Sequence, residues 1–283
     1  MRRTEETGTA SRRTGAQARR AIRKGHARGS TAGLAPGYLQ CNLVILPRSD
    51  AADFTRFCRF NPKPCPLLAV SEPGSPALPS LGSDLDVRTD IPAYCVFRDG
   101  TLAEECTDLR GLWQDDHVAF AIGCSFSFEH ALLDAGVPLR HIREGRNVAM
   151  WRTTIPTTPS GAFHAPLVVS MRPIRLPDLP NVVRITSAYP MAHGAPVHIG
   201  DPRALGIEDL MHPDYGDAVE VLSHEAAVFW ACGVTTQLAI QAAKLPLAIT
   251  HKPGHMLVTD LTLTPAQDIG SAIASIEGAQ HHG

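Results

Sequence analysis

Val118-Ala119-Phe120-Ala121-Ile122-Gly123 runs into Cys124-Ser125-Phe126-Ser127 and then into a helical pattern over 128–135. The first six residues have no polar alternation. That pattern predicts a strand covered on both faces, as in a parallel sheet. Gly136 and Pro138 end the helix. The same order returns near the C-terminus. Val228-Phe229-Trp230-Ala231 reads as a strand, Cys232-Gly233-Val234-Thr235 as a turn, and 236–244 as a helix stopped by Pro246. Two strand–Cys–helix units predict two halves of one pseudo-symmetric sheet.

Outward from these units, Cys41-Asn42-Leu43-Val44-Ile45-Leu46 is a buried strand, and Asp50 is suited to cap a helix ending at Arg59. Asn61-Pro62-Lys63-Pro64-Cys65-Pro66 stops that helix. Residues 67–70 read as a strand and 71–89 as a long irregular loop. Tyr94-Cys95-Val96-Phe97 opens a hairpin turning at Arg98-Asp99-Gly100. A further strand spans 247–250. Between the two Cys units, 148–153 and 167–171 alternate like antiparallel strands, and 177–188 suits a helix. The expected class is α/β: a three-layer α/β domain with a parallel or mixed sheet, over 18–138 and 223–270, and a smaller inserted α+β domain over 139–222. Residues 1–17, rich in Arg, Thr and Gly, are expected to form a disordered tail, with a short basic helix from Ala18.

Apolar residues make up 44% of the 283, enough for burial to offset ordering entropy over most of the chain. Lys and Arg number 26 against 28 Asp and Glu, which argues against a nucleic-acid partner, and no apolar run approaches a membrane span. Seven cysteines without CxxC spacing argue against a disulfide framework or zinc knuckle and for reduced thiols in a cytoplasmic setting. There is no GxGxxG after a strand, no Walker loop and no GxSxG, so dinucleotide, ATP and serine-hydrolase chemistry is disfavoured.

Ligands of open α/β sheets bind beyond strand ends, where helix N-termini favour anions. Cys124, Ser125 and Ser127 at one such turn, and Cys232, Gly233 and Thr235 at the other, are therefore candidate site residues. A thiol at a helix N-terminus can have a lowered pKa and act as base or nucleophile; the competing reading is a small residue in a tight turn. Two thiols also suit a proton-transferring racemase. His193 and His198 lie in a Gly/Pro-rich loop with Asp201, a setting for proton transfer or for a metal completed by Asp214, His251 or His255. Arg146, beside Asn147, and Arg172 are candidates to clamp a carboxylate, against the alternative of structural ion pairs. Asp214 is a candidate carboxylate in a turn.

Several long strings carry a family resemblance: Thr31-Ala32-Gly33-Leu34-Ala35-Pro36-Gly37-Tyr38, Gly123-Cys124-Ser125-Phe126-Ser127-Phe128-Glu129, Glu144-Gly145-Arg146-Asn147, His193-Gly194-Ala195-Pro196-Val197-His198-Ile199-Gly200-Asp201-Pro202, Pro213-Asp214-Tyr215-Gly216-Asp217, Phe229-Trp230-Ala231-Cys232-Gly233-Val234-Thr235 and His251-Lys252-Pro253-Gly254-His255. On these the chain resembles the bacterial "putative hydro-lyase" family, similar to D-glutamate cyclase, over about residues 18–261. The resemblance implies a carbon–oxygen lyase acting on a small amino-acid-like substrate, with D-glutamate to 5-oxo-D-proline plus water as the related reaction. No cofactor is expected, with a divalent metal such as Mn²⁺ as the secondary expectation. The expected partner is the small-molecule substrate, with homo-oligomerisation left open. The alternatives are a cysteine-pair racemase or hydrolase of a small acid, and a non-catalytic ligand-binding subunit of 5-oxoproline metabolism.

Overall fold

The computed structural model describes residues 13–263. In chain order the elements are α1 (Gly15–Arg23), β1 (Tyr38–Pro47), α2 (Arg48–Phe60), β2 (Leu67–Val70), β3 (Tyr94–Arg98), β4 (Thr101–Cys106), β5 (His117–Gly123), α3 (Phe126–Asp134), α4 (Arg140–Arg143), β6 (Ala149–Pro156), β7 (Pro166–Arg175), α5 (Leu179–Ser187), β8 (His198–Ile199), β9 (Glu225–Ala231), α6 (Thr235–Ala243), β10 (Ala248–His251) and β11 (Leu257–Thr262). None of the described helices is long and apolar enough to cross a membrane.

One sheet has the order β2-β5-β1-β10-β3-β4, with β11 also paired to β1; the other has the order β6-β7-β9-β8. The mixed α/β class stands, but every pairing among the described residues is antiparallel. The wholly apolar β5 has a simple cause. Phe120 and Ile122 face a core shared with α2, α6 and β6, while Ala119 and Ala121 face one built with Leu78, Leu81, Leu85 and Val87 of the long irregular segment. Burial on two faces removes the alternation whichever way the neighbouring strands run.

The two Cys units do not form halves of one sheet. β5 lies beside β1 and β2, whereas β9 hydrogen-bonds to β7 from Val169↔Ala231 to Arg175↔Glu225. β9 therefore shares a sheet with the 149–175 strands, although the sequence reading grouped it with the larger unit. One apolar cluster joins the sheets, running from Val44, Phe54 and Phe120 to Val148, Met150 and Val168.

Local chemistry explains the element ends. Thr14 and Gln17 form a reciprocal capping box, so α1 begins at Gly15, three residues before the expected start. The rest of the expected tail, 1–12, lies outside the described residues. Arg19 of α1 is fully buried and ion-paired to Asp84 and Asp260, which fixes the helix against β11. α2 starts at Arg48 directly after Pro47, so Asp50 sits in its first turn instead of capping it. The β3–β4 hairpin turns at Asp99 and Gly100, both at positive φ, as a two-residue Asp-Gly turn requires.

Candidate active site

Alternation along β1 sends Leu39, Cys41 and Leu43 into one core. It sends Gln40, Asn42 and Val44 to the opposite face, toward the second sheet. Asn42 then joins the two Cys turns. Its Nδ2 donates to the Gly123 carbonyl at 2.7 Å, and a Cβ on Gly233 would lie 2.1 Å from that same nitrogen. Gly123 is equally constrained, since an added Cβ would sit 1.7 Å from the Met191 carbonyl oxygen. Both glycines permit close approaches that an alanine would block. The approach at Gly123 brings the end of β5 against the segment that carries His193.

The two thiols stand at matching places. The Phe126 N–H donates to the Cys124 sulfur and the Val234 N–H to that of Cys232, so each thiol meets a helix N-terminus. The thiols are close enough to influence each other, and both feel the Arg172 charge. Burial outweighs these contacts. It pushes Cys232 up to about 11 and Cys124 further, opposite to the lowering expected from a helix N-terminus alone. Both groups are thiols at neutral pH in this state.

Arg172 on β7 is the electrostatic centre. It is fully buried, and its guanidinium donates to Glu129 Oε1 at 2.6 and 3.0 Å, to Ser125 Oγ at 3.0 Å and to Ser170 Oγ at 3.2 Å. Phe128 and Trp230 lie 5.4 and 5.3 Å from it. Glu129 Oε1 also meets His141 Nε2 at 2.9 Å, while Oε2 has no partner. Burial alone would push Glu129 up, but His141 and Arg172 hold its carboxyl below the usual range.

His193 is buried and held in the left-handed region at φ +75°, which is uncommon for a residue with a Cβ. Its Nδ1 lies 2.8 Å from the Lys63 carbonyl. A carbonyl can only accept, so Nδ1 carries the proton and Nε2 keeps a lone pair. Burial lowers its pKa to about 4, against the Lys63 hydrogen bond and with help from the Arg172 and Lys63 charges. The ring is therefore a neutral base at pH 7. His251, whose Nδ1 lies 3.2 Å from the Leu43 N–H, is likewise lowered by burial to about 4.

These two histidines give a pH expectation. Unfolded, each protonates near 6.5; folded, each resists protonation down to about 4. Their contribution is whole above pH 6.5 and is lost as pH falls to about 4, on the order of 3 kcal/mol for each ring. Urea midpoints measured at pH 7 and pH 4.5 should therefore fall on acidification, and equal midpoints would contradict the buried neutral state.

The sequence candidates thus divide. Cys124, Cys232, Ser125, Arg172 and His193 gather around the two turns. Ser127 and Thr235 are taken up by backbone: Ser127 Oγ accepts from Gln40 N, and Thr235 Oγ accepts from Val168 N while donating to the Cys232 carbonyl. His198 pairs with Phe229, which faces the outer core of the second sheet, away from Arg172, and its Nε2 donates to the Asp201 carbonyl. Asp214 accepts from Arg152 N, and Arg146 donates to the Ala218 carbonyl at the surface. Asp201 is paired to Arg203. His198→Ala is accordingly expected to change stability by less than about 0.5 kcal/mol and to leave turnover unaltered, as unfolding curves and initial rates would register. Among the described residues no three His, Cys, Asp or Glu side chains gather as metal ligands.

Asn42, Glu129, His141 and Tyr215 were not anticipated as site residues. Tyr215 bridges to Met150, which the Cys232 thiol contacts at 3.6 Å, and its hydroxyl is buried without a partner.

The D-glutamate cyclase family profile matches residues 118–260, which carry both Cys turns, Glu129, Arg172 and His193. The chain belongs to the D-glutamate cyclase family. Relatives in this family agree over nearly their whole length. A protein of Verminephrobacter eiseniae named "Putative hydro-lyase" is 61% identical, covering 87% of this chain and 89% of its own. One of Bordetella petrii with the same description is 60% identical, covering 92% and 97%. A solved nitrogen repressor-like protein from Methanococcus jannaschii covers 86% of this chain and 97% of its own at 9% identity and a TM-score of 0.36, too low a likeness to bear on the fold.

Proposed function

We propose that this cyclase-family protein is a carbon–oxygen lyase that closes D-glutamate to 5-oxo-D-proline and water between its two Cys turns. The observation that carries the reading is that Asn42 touches both Cys turns, each of which opens a helix, with buried Arg172 bonded to Ser125 at one of them. The positive ends of two helix dipoles favour a dianionic substrate and a tetrahedral oxyanion. Lyase chemistry is supported by the relatives' names; the substrate is the finer step.

In the cyclisation the α-amine must lose a proton and attack the γ-carboxyl carbon. The C–N bond forms as a C–O bond breaks, and the oxygen leaves as water after taking up protons. His193 Nε2, with its lone pair free, takes two protons from nitrogen in turn, one before attack and one as the C–N bond forms, and passes each to the departing oxygen, which leaves as water. Arg172 acts through others: it orients Ser125 at the start of α3.

The rival racemase reading uses Cys124 and Cys232 to move the α-proton. Raised thiol pKa values weigh against it. Proton NMR of D-glutamate with the purified protein in D₂O separates the two. Cyclisation gives 5-oxoproline signals with the α-hydrogen retained. Deuterium at Cα without ring closure would replace the lyase by a racemase. Parallel samples with Mn²⁺ and with EDTA test the metal expectation.

A further inference from the structure

The unpaired polar atoms of the interior form a pattern. Gln40 and Asn147 each have the amide nitrogen tied and the amide oxygen free. Gln40 Nε2 donates to the Thr31 carbonyl at 3.0 Å, and Asn147 Nδ2 to the Pro253 carbonyl at 3.4 Å. Since those partners can only accept, the orientation of both amides is fixed. Gln40 Oε1 and Asn147 Oδ1 are buried without a donor.

Both amides connect to Gly254, Asn147 by direct contact and Gln40 through Thr31. Thr31, which holds Gln40, donates its N–H to the Gly254 carbonyl at 2.9 Å. Asn147 lies so close over Gly254 that an added Cβ would be 2.5 Å from each of its amide atoms. Gly254 is at φ +84°, a backbone setting that favours glycine. Gln40 is 2% exposed and lies on the face of β1 that also presents Asn42 to the Cys turns. Its backbone N–H donates to Ser127 Oγ in the first turn of α3 at 2.8 Å, which sets Gln40 beside the start of that helix. Asp217 Oδ2 accepts from the Asn147 N–H at 2.8 Å and adds negative potential on the same side.

We infer that Gln40 and Asn147 form an ammonium-binding subsite, which holds the α-ammonium of an amino-acid substrate by its N–H donors while the helix starts take its carboxylates. The inference rests on the small-amino-acid reading of the same site. Two buried acceptors lacking donors are matched by a donor-only cation, and leaving them unmatched is costly. The subsite makes the protein select amino diacids over the same diacids without nitrogen.

The test compares D-glutamate with glutarate, which keeps both carboxylates and lacks the amine, by thermal-shift titration of the full chain at pH 7. Wild type should bind D-glutamate more tightly by roughly tenfold or more, the scale of one charge-assisted hydrogen bond. Gln40→Met, which preserves side-chain volume, and Asn147→Leu should each weaken D-glutamate by roughly tenfold and change glutarate by less than about twofold. Equal weakening of both ligands, or a wild type that prefers neither or binds neither, overturns the subsite. 5-Oxoproline measured in the same samples keeps the two claims apart. Amine-dependent binding without product would sink the cyclase reading and leave the subsite standing.

Discussion

His193→Asn is expected to lower kcat on D-glutamate by about 10²–10⁴-fold, the usual contribution of a positioned base. Asparagine is the informative replacement because it tolerates the left-handed backbone at φ +75° that His193 adopts. The variant should therefore stay folded, and its loss should lie in chemistry more than in KM. Initial rates and an unfolding curve on the same preparation check both halves. Retained kcat in a folded variant would remove His193 from the mechanism and return attention to the thiols.

Arg172→Met is expected to cost about 3–5 kcal/mol of stability, the scale for breaking a buried ion pair by removing one partner. The reason is Glu129. Its carboxylate is 2% exposed, accepts two of the Arg172 hydrogen bonds, and keeps only His141 once the guanidinium is gone. The melting temperature should fall by roughly 10 °C. Adding Glu129→Gln should recover part of the loss, because a neutral pair avoids the stranded charge. A urea-unfolding cycle of wild type, both single variants and the double variant measures the coupling. Additive losses would show that Arg172 and Glu129 act independently.

Much of this site was legible along the chain, but only where the signal was local. A strand running into Cys and opening a helix is a short-range pattern, and both such turns stand where the sequence placed them. The sheet direction was not legible. Apolar runs report burial on two faces, and β5 acquires that from helices on one side and an irregular segment on the other. The His193 loop was found by its Gly and Pro punctuation. That same punctuation could not tell His193, turned inward against Lys63, from His198, turned to the outer face of the second sheet. Glu129 carried a faint signal as a carboxylate between Phe128 and Leu132 in an apolar helix, a position that demands a buried partner. Its partner Arg172 lies 43 residues away, a pairing that only the fold makes. Asn42 was hidden for the same reason: a polar residue in a buried strand has a use only once both Cys turns lie over it.

The central claim is that the two Cys turns and His193 form a site for D-glutamate cyclisation. It is tested most directly by a chiral chromatography time course on purified wild type supplied separately with D-glutamate and L-glutamate. The account predicts 5-oxo-D-proline from the D isomer, accumulating in proportion to enzyme, and no product from the L isomer. Absence of 5-oxoproline from both isomers, in a protein shown to be folded, would contradict it.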